Sequence, residues 1–318
     1  MHNRAHPPLH LCTCFRIAGG PICIGGRLLV FGENDSQRFF QIYDCATLHE
    51  LYAGPHPKPT QHAHQDAIRL AKTFIIPVPA VSGAKSGVVR TSELQLFTGC
   101  YHYSQRWSLA AVVATPAGPP GLLNEYRGTG NAAGSTHDFQ VITEQQGQRD
   151  EVDRPLFVAA DEQSIRVFDL AKPRCIKKGL SGWVQQLLPA TSSSDGKKEQ
   201  RLVCTGASIC GQESIWSVSS SAIEKVSSPQ LPSKGWRLVQ QPTTPGRYFG
   251  INDSKMVELE LDVSMPSREA ADWRSAKWKI VRKLGDLGDR SHYGQQPWLS
   301  PEGRLYSFGR DGMNEWAW

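Results

Sequence analysis

The 318-residue chain has no run approaching the roughly 20 apolar residues of a membrane-spanning helix, and no window with the apolar spacing of a long amphipathic helix. A helical membrane protein and a helical bundle are thereby excluded. Long blocks of one charge are missing too. The net charge of +5 is spread along the chain, with no basic run longer than Lys177-Lys178, Lys197-Lys198 or Arg282-Lys283, so a polyanion partner is permitted but not implied. The eight cysteines, at 12, 14, 23, 45, 100, 175, 204 and 210, include no pair separated by two residues, the usual spacing of a structural zinc site. They read as reduced core thiols, since a disulfide framework needs an oxidising compartment for which nothing else argues. Met1 to Arg27 carries His and Pro where a secretory signal needs an unbroken apolar stretch. The chain is expected to be soluble and intracellular, in cytoplasm or nucleus, without a membrane contact.

What the chain does have is punctuation. Gly and Pro make up about 16% of it against about 12% in ordinary proteins, which implies many chain reversals. Hydrophobic residues at 39% suffice for a real core. Six segments repeat one pattern, a short apolar strand running into a Gly, Asp or Asn turn and then a second alternating strand. They are Gly26 to Asp44, Glu93 to Val112, Pro155 to Leu170, Arg201 to Val218, Gly246 to Leu261 and Gly303 to Trp318. Further single strands are expected between them at Arg174 to Lys178, Trp183 to Pro189, Ala222 to Val226, Gly235 to Gln241, Lys277 to Leu284 and Gln296 to Ser300. The pattern predicts an all-β chain built from four-stranded units.

At this point the residues resemble a known family. Leu299 to Gly312 running on to Trp316 looks like the central strands and turn of a WD40 repeat. Phe157 to Asp169 does too, with Phe168-Asp169 in the Trp-Asp position, and Tyr43-Asp44 occupies that place in the first hairpin. The resemblance implies a β-propeller of about six four-stranded blades, seven being possible. Residues 1–318 are then expected to form a single propeller domain, with loop insertions at about 54–92 and 116–154. Ring closure would need an added strand beside the last hairpin, and Leu9 to Phe15 is expected to supply it, with Pro21 to Ile24 as the inner strand of the first blade.

Candidate chemistry is sparse. His56, His62 and His64 lie near Asp66 and could hold a divalent metal, but no rigid element fixes them, so the run reads as a solvated loop. Gly128-Thr129-Gly130 and Gly134 resemble a phosphate-cradling loop without the helix that such a loop requires. Glu258 and Glu260 share a strand face and read as an exposed polar face rather than an acid/base pair. The expected inner strands carry Trp183, Gln185, Trp236 and Trp298 rather than the carboxylates that a central-channel metal would need. Around Trp273 and Trp278, Arg274, Lys277, Lys279, Arg282 and Lys283 suggest weak or indirect nucleic-acid contact. They read first as an outer strand with Lys279 and Lys283 toward water, and Trp278 and Ile280 toward the sheet. Most of the nine Trp are expected to pack the core.

No residue is assigned a catalytic, cofactor-binding or metal role. The WD40 resemblance implies a non-catalytic scaffold or adaptor for protein partners in a multiprotein complex, with the long insertions as the partner face. A carbohydrate-binding propeller lectin and a propeller enzyme with a central-channel metal are the alternatives.

Overall fold

In the computed structural model, the described residues are 22–31, 39–55, 70–78, 91–99, 103–128, 136–144, 154–161, 163–180, 184–194, 197–206, 213–232, 236–241, 243–244, 246–252, 255–267, 270–286, 296–299, 303–309, 312–316 and 318. The chain divides into two compact units, Met1–Glu125 and Tyr126–Trp318.

The first unit holds two antiparallel meanders. In one, β1 (Ile22–Ile24), β2 (Arg27–Phe31), β3 (Phe39–Asp44) and β4 (Glu50–Pro55) pair in chain order. In the other, β5 (Leu70–Val78), β6 (Thr91–Gly99), β7 (Tyr103–Ser108) and β8 (Gly121–Arg127) do the same, with the four-residue helix α1 (Ala110–Val113) between β7 and β8. Leu29, Ile42, Leu96, Trp107, Leu109 and Val112 form a core shared by the two sheets. Trp107 is fully buried, and its ring N–H donates to Thr98 Oγ1 at 2.9 Å, so the bulkiest group of this core leaves no polar atom stranded.

The second unit holds four sheets. The third sheet of the chain comprises β9 (Asp138–Glu144), β10 (Arg154–Ala160), β11 (Ser164–Asp169) and β12 (Cys175–Leu180), and the fourth β13 (Val184–Ser194), β14 (Lys197–Gly206), β15 (Ser214–Val218) and β16 (Ile223–Ser227). The fifth comprises β17 (Arg237–Gln240), β18 (Arg247–Ile251), β19 (Lys255–Ser267) and β20 (Ala270–Asp286). The sixth has three strands among the described residues, β21 (Gln296–Leu299), β22 (Leu305–Gly309) and β23 (Gly312–Trp316). Apolar clusters join third to fourth, fourth to fifth and fifth to sixth sheets. In the third sheet Leu156 to Ala160 are all fully buried, so β10 is covered on both faces.

All six expected hairpins are present, as is each expected intervening strand. The expected closing strand, Leu9 to Phe15, lies outside the described residues; the first-blade inner strand is present as β1. The loop reading of 54–92 and 116–154 needs correction. These stretches contain β5 and β9 whole, the whole of β8, and the ends of β4, β6 and β10. Each strand there is bordered by Gly, Pro and polar residues, which mask an apolar core such as LAKTFIIPV when the stretch is read as one composition.

Candidate functional site

A positive-φ glycine followed by arginine opens three of the hairpins. Gly26, Gly246 and Gly303 sit at φ 73°, 75° and 82°, where a Cβ would be strained, and each hands the chain to Arg27, Arg247 or Arg304. The arginine then reaches an acid on the next strand. Arg27 bonds Asp44 at 2.9 Å, Arg247 bonds Glu258 at 2.9 Å and lies 3.6 Å from Glu260, and Arg304 lies 3.4 Å from Glu315. Without the glycine, Arg154 bonds Asp169 and Arg201 bonds Ser217 in the same way. The second sheet inverts the chemistry, with Glu93 on β6 accepting the Ser108 hydroxyl of β7 at 2.9 Å.

Two of these carboxylates also fix the next turn. Asp44 Oδ1 accepts the N–H groups of Ala46 and Thr47 at 3.0 and 2.9 Å, and Asp169 Oδ1 those of Ala171 and Lys172 at 2.9 and 3.2 Å. The Thr47 backbone N–H, then its hydroxyl, hold the Asp44 carboxyl below its ordinary range. At Asp169 burial works to raise the carboxyl, but the Arg154 bond and the two N–H groups outweigh it and hold it low. In the fourth sheet Ser219 Oγ takes the turn-closing role, accepting from Ser221 and Ala222. Asp161 does so at the opposite end of the third sheet, fully buried, bonding Ser164 and, at 2.9 Å, Arg166.

The inner strands of the second unit are tied side to side. Asp138 accepts the Leu187 N–H at 2.7 Å, while Gln186 both donates to the Leu238 carbonyl at 3.2 Å and accepts its N–H at 2.8 Å. Nothing in the sequence singled out Asp138 or Gln186, because their partners lie about 50 residues away.

The fifth sheet differs from the rest. Glu258 is buried rather than exposed as expected, because Arg247, Gln241 and Arg282 close over it at 2.9, 3.1 and 3.0 Å. Burial works to raise its carboxyl, but the bonds from Arg247 and Gln241 and the Arg282 charge keep it below the usual carboxylate value. Its strand runs three acids on one face, Glu258, Glu260 and Asp262, opposite Arg282, Lys279 and Lys277 of β20 in the strand register. Arg274, Lys277, Lys279, Arg282 and Lys283 are exposed, as expected of an outer strand. Trp278 packs partly buried against the core, whereas Ile280 remains 39% exposed, less covered than expected.

His56, His62, His64 and Asp66 lie outside the described residues, as do Thr129, Gly130, Gly134 and Trp183. Gly128 ends β8 with φ 68°. Among the described residues no group of three or more His, Cys, Asp or Glu is placed to hold a metal ion. Trp107, Trp216, Trp236 and Trp273 are buried, and Trp318 meets Phe249 edge to face with ring centroids 4.8 Å apart. Gln185 is half-buried on β13, and Trp298 lies on β21. Cys204 is a buried thiol whose titration burial pushes up. No helix of the described residues is long and apolar enough to cross a membrane.

No protein-family model and no curated protein matches the chain. Among solved structures, a chain of the crystal structure of a mitotic checkpoint complex matches at TM-score 0.50 and 11% identity, over 92% of this chain and 73% of that one. A chain of the crystal structure of BBS1N in complex with ARL6DN matches at TM-score 0.40 and 8% identity, over 96% of this chain and 92% of that one. The likeness shows the fold, a WD40-like β-propeller.

Proposed function

We propose that residues 1–318 act as a single propeller domain and as a non-catalytic, intracellular scaffold that holds protein partners in a multiprotein complex. The observation that supports this most is how the described charged groups are used. The carboxylates held low, Asp44, Asp169 and Glu258, each serve an arginine corner or a turn. Such groups stiffen a frame and are not poised for proton transfer. The solved chain that shares the fold belongs to a mitotic checkpoint complex, and that precedent is carried to this protein only as part of the proposal.

Affinity purification of the tagged protein from its own cells, with mass spectrometry and a high-salt wash, tests the reading. A defined set of proteins at near-equal amounts supports it. Loss of every partner overturns it and promotes glycan and metal binding. Calorimetry tests the single domain, which predicts one cooperative unfolding transition and is overturned by two.

A further inference from the structure

We infer that the outer edge of the fifth sheet is a docking edge for an extended acidic segment of a partner protein, which adds to β20 as a fifth strand. This rests on the scaffold reading and names one of its contact surfaces.

The first observation is the edge itself. β20 runs 17 residues and is the last strand of its sheet. Among the described residues no strand pairs with its outer side, so alternate backbone N–H and C=O groups there point away from the sheet. Backbone groups so presented are what a strand-adding peptide uses for affinity, while alternate side chains supply selectivity.

The second is the charge order across the sheet. Residues directly opposite one another in an antiparallel pair project from the same face. Arg247 stands opposite Glu260, and Glu260 opposite Lys279, so one row reads positive, negative, positive across three strands. The adjoining rows pair Asp262 with Lys277 and Glu258 with Arg282. By strands, β19 presents an acidic column and β20 a basic one. The inner columns neutralise each other, as the Glu258 pairs with Arg247 and Arg282 show. The basic column of β20 has the acids of β19 on one side, no described strand on the other, and Lys277, Lys279 and Arg282 are exposed.

The next strand in this order carries acids at alternate positions. Its intervening side chains fall on the opposite face, beside the half-exposed Trp278 and Ile280, where apolar or β-branched residues suit. A segment alternating acidic with apolar residues therefore fits both faces. A second copy of this edge does not, because it would set lysine against lysine. An RNA would meet the charges but has no peptide N–H and C=O groups to continue the ladder.

The test uses the purified full chain and a short synthetic peptide alternating glutamate with valine or threonine. Binding is followed by fluorescence anisotropy, and amide hydrogen exchange is read along β20. The expected result is saturable binding that slows exchange at residues 277–283. Binding should weaken by about tenfold or more both in a Lys277→Glu, Lys279→Glu variant that keeps its circular dichroism and melting temperature, and on N-methylation of alternate peptide amides. Absent binding, equal binding by the N-methylated peptide or by an oligouridylate, or protection elsewhere in the chain each overturns the inference. Co-purification with the same variant separates the two proposals. Loss of one partner from an otherwise intact set supports the edge, and an unchanged set overturns the edge while leaving the scaffold standing. No set even with the unaltered chain overturns the scaffold.

Discussion

The third and fifth sheets have the same four-strand order and use their polar residues differently. In the third, the strand β10 is apolar and fully buried throughout Leu156 to Ala160, and the ion pairs lie toward its two ends, Asp161 with Arg166 at one and Arg154 with Asp169 at the other. In the fifth, charge runs across the strands, from Arg247 on β18 through Glu258 on β19 to Arg282 on β20, and reaches an exposed outer edge. A sheet pinned only at its corners has apolar faces to give to its neighbours on both sides. A sheet with charge columns has given up part of one face to water.

The sharpest break of this contrast is Phe157→Ala. The ring is fully buried and lies 4.6, 5.7 and 5.8 Å from Tyr126, Phe139 and Phe168. Its loss should cost about 3–5 kcal/mol in urea unfolding. Next comes Gly250→Ala in the fifth sheet, where a Cβ would meet Leu259 Cδ1 at 2.7 Å and the Leu238 and Trp236 side chains at 3.0 Å. Overpacking there should cost about 1–3 kcal/mol. Glu258→Gln keeps the shape but removes the charge that Arg247 and Arg282 share, and about 1–2 kcal/mol should be lost.

The same carboxylates set the acid response. Asp169 and Glu258 titrate lower in the folded chain than unfolded, so their contribution is present above the unfolded value and lost as pH falls through the folded one. Stability should therefore drop below about pH 4, and Asp169→Asn with Glu258→Gln should flatten that drop in a pH series of thermal melts. The smallest effect is expected for Lys277→Ala with Lys279→Ala. Both residues are exposed on the edge strand, and stability should change by less than about 0.5 kcal/mol. A larger loss would mean that the basic column supports the sheet itself.

Much of this architecture was legible in the sequence because hairpins are local. The apolar runs of RLLVF, PLFVAA and RYFGI, each followed by a polar turn and an alternating strand, carry their own partner within about 20 residues. The corner arginines went unread, although Gly-Arg opens three hairpins and an acid follows 11 to 17 residues later. The inner and outer strands β4, β5, β8 and β9 were not legible, because each is set among Gly, Pro and polar residues in a long interval between hairpins. Burial of Glu258 was equally hidden. It depends on Arg247 and Arg282, 11 and 24 residues away on two different strands, converging on one carboxylate.

Where a corner such as Gly246-Arg247 fixes one strand against the acids of the next, a sheet can lengthen beyond that corner without shifting it. The fifth has done so. β18 spans five residues, yet β19 continues past its pairing with β18 at Glu260 and stays paired with β20 as far as Ser267 and Ala270. For protein engineering that end of the hairpin is a splice point. A reporter or an affinity tag inserted between Ser267 and Ala270 would be carried on an arm whose alignment is set elsewhere, and the melting temperature should stay within a few degrees of the unaltered chain.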